Sequence, residues 1–218
     1  MNILLDALKY SIYPQKISRK YRNFNNPLSI IILISTAIAV FTIIYFSIFS
    51  QTDIFNNTFG QFELPIMVIK IIMCMLIILF SIVTILSVQL FTSFILFLSM
   101  KFLSKKLSIN IKYAQCLVIT SLSSIPLLGT MIFNGCFFVV TKKFYKFPPT
   151  SISYYLQDFV QNKWLDVFQL IDVFLLWYLI LSIVGVLEVS GLKNHKLRYG
   201  IFLYSCIMIF YIMVNTFI

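Results

Sequence analysis

Acidic side chains are scarce in this sequence. Seven Asp and Glu stand against seventeen Lys and Arg in 218 residues, and charged residues of both signs make up only 11%. A soluble fold of this length needs far more polar surface, so an ordinary soluble domain is excluded. Histidine occurs once, at His195, and the four cysteines, Cys74, Cys116, Cys136 and Cys206, fall inside apolar runs with no two at a metal-ligand or redox spacing. They read as small membrane-embedded hydrophobes. There is no Gly-x-Ser-x-Gly, no His-Glu-x-x-His and no pair of intramembrane aspartates. The expectation is a non-enzymatic chain with no cofactor and no metal.

What is present is apolar. Hydrophobic residues make up 60% of the chain and the mean hydropathy is +0.95. Runs long enough to cross a hydrocarbon core, about 20 residues each, recur along it. The expected fold is an all-α, polytopic membrane helix bundle with five transmembrane helices, a cytoplasmic N-terminus and interfacial amphipathic helices. The spans fall at about 28–50, 64–103, 113–140, 167–189 and 201–218. Residues 1–27, too polar and too basic for a secretory signal, read as a cytoplasmic amphipathic segment. Leu4, Leu5, Leu8 and Ile12 recur there at helical spacing before Pro14, Lys16, Arg19, Lys20 and Arg22. A basic tail without structure is the alternative.

The second run is too long for one perpendicular crossing, yet it contains neither Gly nor Pro between Lys70 and Lys101 to turn the chain. It reads as one long helix, tilted or kinked, with a re-entrant pair as the alternative. In the third run Pro126 removes a backbone donor, which predicts a kink whose freed carbonyl the neighbouring helices must satisfy. Beyond Pro148 and Pro149, the residues Ile152, Tyr155, Leu156, Phe159, Val160 and Trp164 repeat at i, i+3, i+4, i+7 and i+8. This pattern predicts an amphipathic surface helix, and Ile152, Tyr155, Leu156, Phe159 and Trp164 form a candidate partner surface.

Orientation follows from the cations. With the N-terminus inside, the cytoplasmic segments hold twelve Lys and Arg, against four in 141–166 and none in the loop 51–63 with Asp53 and Glu63. The cations therefore read as topology signals and contacts to membrane lipid, and nucleic acid is not expected as a partner. Polar groups inside spans are the default candidates for function. Lys70, Asn134 and Asp172 each lie five or six residues from the outer end of an expected span, so they form a candidate intramembrane polar cluster in which Lys70 and Asp172 pair. Snorkelling of both to the interface is the competing reading. Glu188 is expected to contact Lys193 or interfacial water.

The run from Trp164 through Asp172, Trp177 and Gly185 to Leu187 resembles the signature of the Yip1 family. Pro14 in a basic amphipathic start, the long second span and Ser123-Ser124-Ile125-Pro126 are similar to the family pattern as well. The resemblance implies five spans with a cytoplasmic N-terminus, and it marks Asp172, Trp177 and Gly185 as family-motif residues. It implies roles in vesicle traffic with Rab-type GTPases for eukaryotic members and association with export systems for some prokaryotic ones. The short N-terminus and the sequence Ser104-Lys105-Lys106-Leu107-Ser108, where glycines are expected, depart from the eukaryotic pattern. A bacterial cytoplasmic membrane is therefore expected, with an endoplasmic reticulum or Golgi membrane as the alternative. The expected role is a scaffold or accessory subunit that binds another membrane protein or a second copy of itself. The alternative is a small transporter or channel component with a polar path through the bundle.

Overall fold

The structure, a computed structural model, describes residues 3–21, 27–50, 65–107, 111–141, 145–161, 164–165, 168–169, 171–192 and 196–217. The expected loop 51–63, and Lys193 and His195, lie outside the described residues. The elements among the described residues are α-helices: α1 (Ile3–Tyr10), α2 (Pro14–Tyr21), α3 (Leu28–Phe49), α4 (Ile66–Leu107), α5 (Tyr113–Ser123), α6 (Ile125–Thr141), α7 (Ile152–Leu156), α8 (Val173–Val189) and α9 (Lys196–Phe217). Met67–Ser104 and the α5–α6 stretch Tyr113–Thr141 are long and apolar enough to cross a membrane, and shorter apolar helices cover Leu28–Ile44, Val173–Val189 and Arg198–Ile209.

Residues 3–21 form a helical hairpin, not a structureless tail. Tyr13 N–H donates to the Lys9 carbonyl at 2.8 Å and closes the turn. Pro14 then opens α2 at a position where its missing N–H costs nothing. The hairpin packs on α5 and α8, and α8 also contacts α6 and α9. One core results: Ala7, Tyr10 and Tyr21 of the hairpin are buried with Ile119, Leu122, Tyr178, Val186 and Leu203.

α4 is a single uninterrupted helix of 42 residues, about 60 Å at 1.5 Å per residue and twice the hydrocarbon thickness. Its two halves differ in their packing. The first half leaves Met67, Met75, Leu79 and Phe80 exposed and meets α3 through Ile69 and Phe46. The second half buries Gln89, Thr92, Ser93, Leu96 and Met100 inside the bundle.

The third run breaks at Ser124, not at Pro126, because Pro126 sits in the first turn of α6 where a proline is tolerated. At the break, hydroxyls of the same chain segment meet two carbonyls of the preceding turns. Ser124 donates both its N–H, at 3.2 Å, and its hydroxyl, at 2.7 Å, to the Ser121 carbonyl, and Ser123 Oγ donates to the Ile119 carbonyl at 2.8 Å.

The helix expected over Ile152–Trp164 is only five residues long, Ile152–Leu156, followed by turns. Straight helix would hold residues 153 and 165 about 18 Å apart. Instead, Ser153 Oγ donates to the Leu165 carbonyl at 2.6 Å, so the segment folds back on itself. Periodicity reported which side chains stay exposed but not the path of the backbone. The fourth apolar helix consequently begins at Val173, six residues later than position 167.

Candidate functional site

The two ends of α8 carry the motif residues, and each end is built by a different neighbour. At its start, the end capped by residues 145–172, Asp172 is the N-cap. Asp172 Oδ1 accepts from Phe174 N–H at 2.9 Å and Leu175 N–H at 3.0 Å. Val173 N–H donates to the Thr150 carbonyl at 3.3 Å. The first three amides of the helix, which have no partner inside it, are thereby all satisfied.

Asp172 Oδ2 accepts from the Thr150 hydroxyl, and Thr130 Oγ1 lies 3.5 Å from Oδ1. Asn134 Nδ2 reaches Thr150 Oγ1 at 3.4 Å. Two of the three predicted polar residues, Asn134 and Asp172, are therefore brought together through Thr150. The third is not: Lys70 stands on α4 beside Ile69, which packs against α3, while the carboxylate of Asp172 is engaged by α8 amides and threonine hydroxyls. The carboxylate acts as a clasp that ties the cap segment to α6 and α8.

In the cap segment and α6, Phe137, Tyr145, Tyr154 and Tyr155 pack ring against ring at centroid separations of 5.1–6.0 Å, edge to face except for the tilted Phe137–Tyr145 pair. The candidate partner surface remains open: Tyr155, Phe159 and Trp164 are 66%, 82% and 55% exposed, Ile152 is exposed and Leu156 half-buried. Trp177 also faces outward from α8.

At its far end, the hairpin end, α8 holds Gly185. A Cβ there would stand 1.8 Å from Tyr10 Oη and 2.6 Å from Ile119 Cγ2. The missing side chain uncovers the Leu181 carbonyl one turn earlier, and Tyr10 Oη donates to it at 3.0 Å. Ser18 Oγ lies 3.3 Å from the same phenol. Arg19 Nε then pairs with Glu188 at 2.6 Å; Lys193, the partner expected for Glu188, lies outside the described residues.

Asp6 closes the hairpin by accepting from Lys20 Nζ and, at 2.9 Å, from Tyr21 Oη. Burial pushes its carboxyl pKa up, but these two hydrogen bonds and the charges of Lys20 and Lys9 outweigh burial and hold it below the ordinary value. Tyr21 moves the opposite way, raised by burial and by the carboxylate of Asp6.

Inside the bundle lies a polar group that pattern reading missed. Gln89, Thr92 and Ser93 share one face of α4. Thr92 Oγ1 lies 3.2 Å from Tyr211 Oη, and Ser93 Oγ is 3.1 Å from Tyr113 Oη. The signal was present in the spacing of Gln89, Thr92 and Ser93, but only the fold shows that they face α5 and α9 and not lipid. Among the described residues no group of three or more His, Cys, Asp or Glu could hold a metal ion. Hydroxyls, amides and one clasped carboxylate can bind and position.

The Yip1 domain family model matches residues 9–215, from the end of α1 to the end of α9. No curated protein and no solved structure matches the chain. The match spans the second helix of the hairpin, the broken third run, the Asp172 clasp and the Gly185 contact alike, and the chain belongs to the Yip1 family of membrane proteins.

Proposed function

We propose that this chain is a non-enzymatic scaffold or accessory subunit of a membrane protein complex, serving export or trafficking or the organisation of the membrane itself. It crosses the bilayer five times with the hairpin end in the cytoplasm, and its location is the bacterial cytoplasmic membrane. The observation that carries the role is the open aromatic surface of the cap segment. Tyr155, Phe159 and Trp164 lie outside the apolar helices, on a backbone fixed by Ser153 and by the Asp172 clasp. Rigidly held, exposed aromatics are what hot spots of protein interfaces are made of. Apolar helices that bind only lipid need no such feature.

A photo-crosslinking amino acid at Phe159, compared with one at Phe80 on the exposed face of α4, tests this. A discrete heavier protein adduct at position 159 alone is expected in intact membranes. Adducts at neither position, or the same smear at both, would count against a partner at the cap.

A second reading, a small transporter or channel component, draws support from buried polar groups at several depths: Asp172 with Thr150, Gln89 with Thr92, and Tyr10. Solute flux into proteoliposomes that is abolished by Asp172→Asn would favour it over the scaffold.

A further inference from the structure

At the hairpin end, α8 and α9 part to leave a cleft of about 400 Å³, lined by Ile180, Ile183, Leu187, Gly200, Ile201 and Tyr204, with Gln15 and Glu188 at its mouth. This lies within the range of formed small-molecule sites, roughly 300–1,000 Å³. From Glu188 to Ile180 it runs two turns along α8, about 12 Å from the mouth toward the bilayer interior. Its walls open sideways, since Ile180 and Ile201 are 54% and 60% exposed. The cleft is therefore apolar in depth, polar at the mouth and open to lipid along its length.

Around the mouth two arginines stand against the one carboxylate of Glu188, a net excess of one positive charge. Arg19 points its Nε at Glu188 yet keeps 70% of its side chain exposed. Gln15 stands one turn before it on the same face of α2. Arg198 is exposed and lies three residues before Ile201, on the same face of α9. Arg19 on α2, paired with Glu188, and Arg198 on α9, on the face of Ile201, thus stand by the end of α8.

We propose that this cleft is a binding site for one anionic phospholipid, with an acyl chain between α8 and α9 and the phosphate held by Arg19 and Arg198. The planar donor fork of arginine suits a phosphate. The docked hairpin contributes to the mouth of the site, because Gln15 and Arg19 both belong to α2. The site is independent of any protein partner at the cap.

Gly200 allows a selective test. A Cβ there would meet Ile183 Cγ2 at 3.7 Å and Leu187 Cδ1 at 3.8 Å, ordinary contact distances. Gly200→Ala is thus accommodated, while Gly200→Phe projects a ring into the cleft. The protein is reconstituted in vesicles of equal parts phosphatidylglycerol and phosphatidylcholine, extracted, and its retained lipid counted by native mass spectrometry. Wild type and Gly200→Ala are expected to retain one phosphatidylglycerol in preference to phosphatidylcholine, and Gly200→Phe to lose it. Arg198→Gln, which leaves the cleft unfilled, should reduce the preference for phosphatidylglycerol about fivefold. Equal retention by Gly200→Ala and Gly200→Phe, or no preference between the two lipids in wild type, would overturn the proposal.

Discussion

Asp172 and Gly185 are the two residues whose positions explain most about this chain, and each works through what surrounds it. Asp172 was legible as a polar group in an apolar run, but its neighbours were not. Similar depth in the expected spans suggests Lys70 as its partner. The nearer solution is the α8 backbone, because a helix start leaves amides that a carboxylate one residue upstream reaches without crossing the bundle. Removing that cap has a predictable cost. Asp172→Ala should destabilise the detergent-solubilised protein by about 1–2 kcal/mol, and Asp172→Asn, which can still cap, by less. Thermal unfolding of the three proteins side by side measures it, and equal melting of all three would remove the clasp from the account.

Gly185 entered as a motif glycine on resemblance alone. Its cause was illegible, since the group that needs the space, the phenol of Tyr10, lies 175 positions away. Asp6 adds a pH dependence. Its pKa in the folded chain lies below the ordinary 3.8, so the stability it supplies is fully present above that value and is lost as pH falls through the folded pKa. Tryptic cleavage at Lys16 and Lys20 after an acid pulse should stay slow down to about pH 5 and rise only below about pH 4. Asp6→Asn should flatten that response. A rise centred near pH 6–7 would point to some other group.

Among the elements, α4 was the most legible and α7 the least. A run without Gly, Pro or a polar cluster has nothing to turn it, and forty apolar residues gave one helix. The cap segment had helical periodicity but folds back after five residues, because side-chain hydrogen bonds such as Ser153 to Leu165 outweigh a propensity worth only tenths of a kcal/mol per residue.

The exposed first half of α4 implies that lipid is its solvent. Phe80, near the middle of the helix and 74% exposed, is the sharpest place to ask. Phe80→Lys should cost about 2.5–3.5 kcal/mol of insertion free energy and deplete the protein from the membrane fraction. Lys101→Glu, in the last turns of the same helix, should not. Equal depletion by both, or by neither, would contradict the placement of this half in the hydrocarbon.

For the whole molecule, the hairpin makes the largest difference between sequence and structure. Its amphipathic pattern predicted a segment lying on the membrane surface. The chain also folds α1 and α2 against α5 and α8, burying Tyr10 and Tyr21 in the same core as the apolar helices while Leu8 and Ile12 stay exposed. A pattern of apolar residues cannot distinguish lipid from a neighbouring helix as the surface it covers; only long-range complements such as Gly185 can. The Yip1 match begins at Lys9, inside the hairpin, as expected if these helices are part of the domain.

Amide hydrogen exchange on the protein in lipid vesicles tests that docking most directly. Residues 5–21 of the wild type should exchange as slowly as the ends of α5 and α8. Gly185→Leu, which fills the space Tyr10 occupies, should release residues 5–21 to rapid exchange while α4 and α9 keep their protection. Rapid exchange of residues 5–21 in the wild type, or no change on Gly185→Leu, would contradict the docked hairpin.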